Sequence, residues 1–345
     1  MQNCETMHEP RVTLASGRCY EIADRVLSVE TDAEWAARLA ETFFGGLHLS
    51  PSLHPDTGPA HLQLKIMTEP PPPLPTELQR FDVPGGVCYK NHQSYYLEVK
   101  GSRIAVGAKD SKQVRVWLGN TARARMRASL LTVMAYAVPA ALRRIGLYDL
   151  HAAALIEPES GCCFLFPGPS RSGKTSLSLR LAASGWHYLS DDVVVMSEGE
   201  EGVEARGLRR PFQTSDDSLV GHELPRLDDA LIAMIPNDSE KRSLDPEILF
   251  PGQFAPSAHP GVLCFPVITG ECQSRLEQTP KAEAMMRLIV MCPWSNYDSS
   301  AAREHLRVLS HLVRQCQTFT LHAGRDVFDE PNGASALLTQ LVKGV

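Results

Sequence analysis

The chain has no excess of positive charge. Its 345 residues include 34 Lys and Arg against 40 Asp and Glu, which gives a formal net charge of −6. Nucleic acids and anionic membrane surfaces attract proteins mainly through clusters of Lys and Arg. The composition therefore predicts no nucleic acid and no membrane surface as a partner.

Long apolar runs are also absent. The longest apolar stretch, residues 128–142, contains Pro139 and is shorter than the roughly 20 residues that a membrane-spanning helix needs. The first residues, Met1 to Thr6, show no basic segment followed by an apolar run, so the sequence predicts no secretory signal. We interpret residues 128–142 as part of a buried helix.

The nine cysteines show no metal-binding spacing and no C-x-x-C pair. An odd number of unpatterned cysteines is typical of reduced thiols in the cytosol rather than of a disulfide framework. The sequence thus predicts a globular cytoplasmic protein, and its 43% hydrophobic content is sufficient for a large core.

What the sequence does contain is one full match to the phosphate-loop pattern G-x-x-x-x-G-K-[ST], from Gly168 to Thr175. Before it, residues 162–166 form a short apolar run that predicts a buried strand. After it, residues 175–183 predict a helix. Phosphate binding requires this order, because the N–H groups of the loop and the positive end of the helix dipole then face the same anion.

The pattern assigns the loop to a nucleotide, with ATP and Mg²⁺ as the expected cofactors. The residues expected to bind ATP are Gly168, Ser170, Ser172, Gly173, Lys174 and Thr175. The Lys174 ammonium is expected to reach the β- and γ-phosphates, and the Thr175 hydroxyl to ligate Mg²⁺. A structural glycine-rich turn is the alternative interpretation, and the flanking strand and helix favour nucleotide binding.

Two further groups are predicted beside the loop. The apolar residues 147–156 predict two short strands that place His151 near the nucleotide. Asp191 and Asp192 follow the helix after a return segment long enough to bring them back to the phosphate end. One carboxylate can then accept a proton from an attacking hydroxyl while the other holds Mg²⁺. A structural histidine and a solvated Asp-Asp turn are the alternatives.

Together, His151 followed by small residues, the loop 168–175 and Ser190-Asp191-Asp192 resemble the catalytic domain of the HPr kinase/phosphorylase family. The nucleotide fold of that family is similar to that of phosphoenolpyruvate carboxykinase. Two later segments, 208–212 and 262–266, also resemble it. The resemblance covers about residues 90–342.

The resemblance implies roles for individual residues. His151 and Asp191 would assist proton transfer, and Lys174 would bind the phosphates. Thr175 and Asp192 would serve the metal, although the two aspartates can exchange their roles.

The chain departs from the family pattern at two positions. Arg171 stands where relatives commonly have glycine, and Val267 stands where they often have arginine. The long glycine-containing signature that true HPr kinases carry after the aspartates is also missing. HPr protein is therefore not the expected acceptor, and the sequence is similar to HPr-kinase-like proteins of peptide-modifying systems, including lasso-peptide tailoring kinases.

The expected architecture is an α/β P-loop kinase domain of the HPr kinase/phosphoenolpyruvate carboxykinase type at 86–345, after a small α+β region at 1–85. In that region a helix is predicted at 32–43, with Asp32 as its N-cap and Gly45-Gly46 as its stop. His48 and His54 are interpreted as exposed loop residues, with a metal-binding pair as the alternative. The proline run 69–75 is predicted to be an extended spacer. Further along, the sequence predicts an antiparallel meander and four helices. The meander strands are 87–89, 95–100, 104–106 and 114–117, and the helices are 122–145, 281–292, 303–318 and 334–342.

The expected reaction is Mg-ATP-dependent phosphoryl transfer to a serine-type hydroxyl on a precursor peptide or on a small molecule. Two alternatives stay open at this level. One is a phosphorylase that runs the chemistry in reverse with the same residues, and the other is a nucleotide-gated adaptor without turnover. Relatives are often oligomeric, so a homo-oligomer is expected from the resemblance alone.

Overall fold

The computed structural model describes residues 16–47, 49, 51, 61–108, 110–119, 122–207, 211–215, 227–232 and 241–342. The histidines His48 and His54, interpreted as loop residues, and Arg209-Arg210 of the family-like segment lie outside these ranges. The described residues divide into two compact units. The first is drawn from 1–43, 50–107 and 111–137, and the second from 44–49, 108–110 and 138–345.

This division differs from the expected boundary between residues 85 and 86. Strands β4 (Gln79–Val83) and β5 (Gly86–Lys90) are antiparallel neighbours, with Val83 opposite Gly86. The expected boundary therefore falls inside a tight hairpin, where Gly85 has a φ of 78°. The last stretch of the first unit instead ends at Ala137, within a helix.

The first unit is built on an eight-stranded sheet with the order β1-β2-β3-β8-β7-β6-β5-β4. Its strands are β1 (Ser16–Ile22), β2 (Arg25–Thr31), β3 (Leu62–Met67), β4 (Gln79–Val83), β5 (Gly86–Lys90), β6 (Tyr95–Val99), β7 (Ser102–Val106) and β8 (Gln113–Trp117). Strands β5 to β8 form the predicted antiparallel meander, and β4, which was not predicted, pairs with β5 and extends it. Strand β3 is parallel to both β2 and β8.

One face of this sheet is buried and the other is partly exposed. In β6, for example, Tyr95, Leu97 and Val99 are buried, whereas Tyr96 and Glu98 between them are half-buried. Apolar side chains at every second position of a strand point to the same face, so this alternation places the core on one side.

Two helices lie in the N-terminal part of the chain, α1 (Glu34–Gly46) and α2 (Ala122–Arg144). Asp32 was expected to cap α1, but its carboxylate accepts a hydrogen bond from the backbone N–H of Thr68 at 2.8 Å. Helix α1 also continues through Gly45 and Gly46, which were expected to end it. Helix α2 matches its predicted range and includes Pro139. No helix within the described ranges is long and apolar enough to cross a membrane.

The proline run 69–75 crosses the sheet of the first unit and is not a spacer between units. It connects β3 to β4, and four strands lie between these two in the sheet. The chain must therefore cross five strand spacings, about 24 Å in all. The eight residues 68–75 in an extended polyproline conformation span about 25 Å, which is enough, and the chain then bends at Glu77, whose φ is 66°. We call residues 68–78 the strap.

The second unit contains the remaining thirteen strands. They are β9 (Tyr148–Leu150), β10 (Ala152–Ile156), β11 (Cys163–Pro167), β12 (His187–Ser190), β13 (Val194–Gly199), β14 (Gly202–Gly207), β15 (Phe212–Ser215), β16 (Leu231–Ile232), β17 (Lys241–Leu244), β18 (Ser257–Ala258), β19 (Pro260–Ile268), β20 (Arg275–Gln278) and β21 (Gln317–Ala323). They form a mixed six-stranded sheet, β12-β10-β11-β19-β21-β20, and smaller sheets β18-β14-β13-β9 and β15-β17-β16.

The four helices predicted in the second unit are present, with bounds within four residues of those expected, and three further short helices were not predicted. Those described are α3 (Lys174–Ala183), α4 (Leu227–Ala230), α5 (Pro246–Leu249), α6 (Lys281–Val290), α7 (Ser299–Gln315), α8 (Asp326–Asp329) and α9 (Gly333–Thr339), with a 3₁₀ turn at Pro293–Asn296. Helix α7 begins four residues before its predicted start. The reason is that the Asp298 carboxylate accepts from the Ala301 N–H and caps the helix there.

The six-stranded sheet is buried on both faces. Ala152, Ala154 and Leu165 pack into a core that includes residues of α7. The intervening Ala153 and Leu155 pack into a second core, which includes residues of α3 and α9. Near-continuous apolar strands with helical residues on each side are the arrangement of an α/β fold. The strand–loop–helix segment that runs from β11 to α3 lies at the centre of this sheet.

Candidate functional site

The loop 168–173 joins β11, a central strand of the six-stranded sheet, to the start of α3. The backbone N–H of Ser172 donates to the carbonyl of Pro169 at 3.3 Å and closes the loop. Gly173 precedes the first helical residue with a φ of 88°, and no side chain caps the helix. The positive end of the α3 dipole therefore faces the loop.

Two glycines of the loop are required by its geometry. A Cβ at position 168 would lie 2.5 Å from the Ser172 hydroxyl oxygen, which is too close. At position 173 the left-handed φ excludes most side chains. Arg171 adopts the same left-handed region, with a φ of 68°.

Lys174 is the first residue of α3 and is 6% exposed. Its ammonium group donates to the carbonyls of Gly168 and Pro169, both at 2.8 Å. These two hydrogen bonds hold the positive charge over the loop, where an anion cradled by the loop N–H groups would also lie.

Thr175 and Asp191 are in direct contact. The Thr175 hydroxyl donates to Oδ2 of Asp191 at 3.1 Å, and Asp191 is 2% exposed. The sequence predicted that Thr175 and Asp192 would bind the metal. In the structure the Thr175 hydroxyl contacts Asp191 instead.

Asp192 lies beside His151. The Nδ1 atom of His151 is 3.1 Å from Oδ1 of Asp192, and about a third of each side chain is exposed, 35% and 37%. Ser190 shapes the turn, because its hydroxyl accepts from the backbone N–H groups of Asp192 and Val193. One aspartate therefore points inward to Thr175 and the next remains open to solvent beside a histidine.

Strand pairing explains why these residues meet. His151 separates β9, a strand of the four-stranded sheet, from β10, a strand of the six-stranded sheet. The segment 191–193 likewise separates β12 from β13, and β12 pairs with β10 while β13 pairs with β9. Both connections thus pass from one sheet to the other at the same point. Ala152 lies opposite Pro167, and the N–H of Gly168 donates to the His151 carbonyl at 3.4 Å, which brings the loop to that point.

The structure adds two residues that no sequence pattern predicts at this site. Ile268, at the end of β19, and Phe328, in α8, both lie beside Gly173, within 3.4 Å of where its Cβ would be. Ile268 is 53% exposed. Strands β11 and β19 are parallel neighbours, so their carboxyl ends meet at one edge of the sheet. No local motif marks either residue.

The oxygen atoms of Thr175 and Asp191 fit a magnesium ion. Mg²⁺ is bound by oxygen ligands, often one or two from the protein together with waters and substrate phosphates. A hydroxyl and a carboxylate at hydrogen-bond distance match that pattern. In the described ranges no group of three or more His, Cys, Asp and Glu side chains could hold a metal, so an ion here would depend on few protein ligands.

The predicted site residues come together with one exception. Gly168, Ser172, Gly173, Lys174 and Thr175 form the loop and the helix start, and His151, Asp191 and Asp192 adjoin them. Ser170 is exposed on the loop, and no contact is described between its side chain and the others.

Comparison with known proteins adds little to this geometry. No protein-family model and no curated protein matches the chain. The chain is similar to the Hpr(Ser) kinase/phosphatase from Coxiella burnetii, with 11% sequence identity and a TM-score of 0.29. The alignment covers 57% of this chain and 99% of that chain. A similarity of this size assigns no activity, so the functional assignment depends on the site itself.

Proposed function

We propose that this protein is a Mg-ATP-dependent kinase that transfers the γ-phosphoryl group to a serine-type hydroxyl. The supporting observation is one cluster: the loop 168–173, the Thr175–Asp191 contact and the His151–Asp192 pair. Each part corresponds to one requirement of phosphoryl transfer, namely phosphate binding, metal binding and proton removal.

Nucleotide binding is assigned to the loop and to Lys174. Backbone N–H groups of the loop and the uncapped start of α3 are suited to the phosphate oxygens. The Lys174 ammonium already lies over the loop and needs only to exchange carbonyl acceptors for phosphate oxygens.

The metal position is assigned to Thr175 and Asp191. Mg²⁺ bound there would neutralise the charge of the β- and γ-phosphates. The hydrogen bond between the Thr175 hydroxyl and the Asp191 carboxylate is what favours Asp191 over Asp192 for this role.

The general base is assigned to Asp192. Its carboxylate is exposed enough to meet an acceptor hydroxyl and would take the proton as the oxygen attacks phosphorus. The imidazole of His151, 3.1 Å away, orients that carboxylate. The resemblance implied the opposite roles, with Asp191 in proton transfer and Asp192 at the metal.

The acceptor is proposed to be a ribosomal precursor peptide, on the strength of the sequence resemblance to peptide-tailoring kinases. Partial exposure of His151 and Asp192 is compatible with an acceptor larger than a free amino acid. A small serine-like molecule is the alternative acceptor.

The experiment is mass spectrometry of the full chain incubated with Mg-ATP and the peptides encoded beside its gene, together with free serine. Wild type is compared with D192N, D191N and K174A. D82N is the matched control, because Asp82 is exposed on β4 of the first unit. We expect phosphorylated product with wild type and D82N. D192N should lower the rate by about 10²–10⁴-fold while ATP still binds, and D191N should weaken the dependence of ATP binding on Mg²⁺.

Other outcomes separate the alternatives. Pyrophosphate formed from a phosphorylated peptide and inorganic phosphate would indicate the reverse reaction. ATP binding without transfer to any acceptor, with cellular function retained in D192N and lost in K174A, would contradict the kinase and indicate an adaptor.

A further inference from the structure

The strap and the sheet of the first unit enclose a cavity. Its volume is about 420 Å³, and it is partly open to solvent. Pro72, Pro73 and Pro75 of the strap form one wall, and side chains of β6, β7 and β8 form the other. This volume lies in the range of small-molecule sites, which measure about 300–1,000 Å³.

The Arg103 side chain fixes the distance between the strap and the sheet. Arg103 on β7 donates to the carbonyl of Pro72 at 2.6 Å. The same guanidinium donates twice to Glu98 on β6, which fixes its orientation. Pro70 to Pro73 and Pro75 also restrict that part of the strap to an extended conformation. The cavity is therefore a built feature of the fold rather than a gap under a loose loop.

The lining combines positive charge with apolar surface. The charged residues among the described lining residues are two arginines, Arg103 and Arg115, and none is acidic. Arg115 donates to the Gln113 amide oxygen at 2.5 Å, and this hydrogen bond orients the guanidinium. Tyr96 and the proline rings supply flat apolar surface, and Ser94 and Ser111 supply hydroxyls.

The geometry disfavours an extended peptide strand as the ligand. The backbone N–H and C=O groups of a sheet lie in its plane. The face of the sheet therefore presents side chains only and cannot form backbone hydrogen bonds with a further strand. Proline has no N–H to donate, so the strap cannot form a ladder either. Recognition here must depend on side chains, which suits a compact molecule.

We propose that this cavity binds a small organic anion, a molecule with a carboxylate or phosphate group on an apolar or aromatic body. Arg115 binds the anionic group, because guanidinium groups form strong charge-assisted hydrogen bonds with carboxylates and phosphates. Tyr96 and the prolines contact the body. The site lies wholly within the first unit and does not depend on the proposed kinase activity.

The test uses ligand-observed NMR titrations of the full chain with probes that share one ring and differ in charge. The probes are benzoate, phenylphosphonate, benzyl alcohol and benzylammonium. We expect saturable one-site binding of an anionic probe, and the tighter of the two anions indicates whether the natural group is a carboxylate or a phosphate. The neutral and cationic probes should bind about ten-fold more weakly or not at all, the value of one charge-assisted hydrogen bond.

Variants locate the binding. R115Q should weaken binding of the anion by about ten-fold or more. R80Q is the matched control, because Arg80 is exposed on β4 of the same sheet and does not line the cavity. A second variant tests the proposal if R115Q folds poorly. A105L adds bulk on β7 inside the cavity and should block binding of the anion.

Three results would overturn the proposal. They are no saturable binding of either anion, equal binding of charged and neutral probes, and equal weakening by R115Q and R80Q.

Discussion

At the scale of single residues, Arg171 is the loop residue with the least favourable backbone. A left-handed φ costs a non-glycine residue about 1–2 kcal/mol, and Arg171 has a φ of 68°. We expect R171G to have a free energy of unfolding about 1 kcal/mol higher than R171A, since both variants lack the side chain and only glycine relieves the strain. Chemical denaturation of the two variants measures this difference. Equal stability would show that the loop relaxes when the arginine is removed.

His305 predicts how stability depends on pH. It is 1% exposed and stacks on Trp294 at 5.1 Å. Burial lowers the pKa of His305 from 6.5 to about 4, while the Asp149 carboxylate raises this pKa by a smaller amount and the Arg143 guanidinium lowers it further. Because the unfolded chain takes up the proton first, the stability present above pH 6.5 declines as the pH falls towards 4, by about 3 kcal/mol.

The measurement is the free energy of unfolding between pH 4 and pH 7 for wild type and H305F. Phenylalanine keeps the aromatic stacking and removes the titration, so the pH dependence of H305F should be shallower by that amount. The same slope in both proteins would mean that other groups are responsible.

The two aspartates show what sequence can predict about a single site. The closeness of the pair to the loop was predicted from the lengths of the helix 175–183 and of the return segment after it. The position of His151 was predicted from the two short strands within 147–156. Which aspartate meets Thr175 does not follow, because adjacent residues on a turn point in different directions. That choice depends on the Ser190 hydroxyl, which holds the turn.

At the scale of elements, the strap depends on Arg103. We expect R103Q to lower the free energy of unfolding by about 1–2 kcal/mol, because a largely buried guanidinium loses a carbonyl acceptor and a carboxylate. R80Q should change stability by less than about 1 kcal/mol, since the Arg80–Asp82 pair is exposed. Denaturant unfolding of the two variants compares them directly, and equal losses would contradict an anchoring role for Arg103.

The strap also marks a limit of sequence analysis. Four consecutive prolines, Pro70 to Pro73, predict an extended segment, and that prediction depends only on local backbone restriction. Its course across the sheet depends on strand order, because β3 pairs with β8 rather than with β4. The meander strands, whose partners are neighbours in sequence, were predicted with their pairing. Parallel partners distant in sequence, such as β3 and β8, were not.

At the scale of the whole molecule, the kinase proposal predicts ligand-linked stability. Mg-ATP at 100 times its dissociation constant should raise the free energy of unfolding by about 2.7 kcal/mol. K174A should lose this gain, because the ammonium that meets the phosphates is gone, and R80Q should keep it. Thermal unfolding with and without Mg-ATP measures the effect. A gain retained in K174A would place the nucleotide somewhere other than the loop.

The course of the strap also has a consequence for the order of folding. Strands β4 to β8 form hairpins from neighbouring segments, whereas Gln63 of β3 pairs with Gln113 of β8, fifty residues away. Contacts close in sequence form early and distant ones late, because closing a long loop costs more entropy. We therefore expect the strap to take its place only when β3 pairs with β8, and the cavity under it to form at that step. A ligand of this cavity would act on the rate of unfolding and leave the rate of folding unchanged.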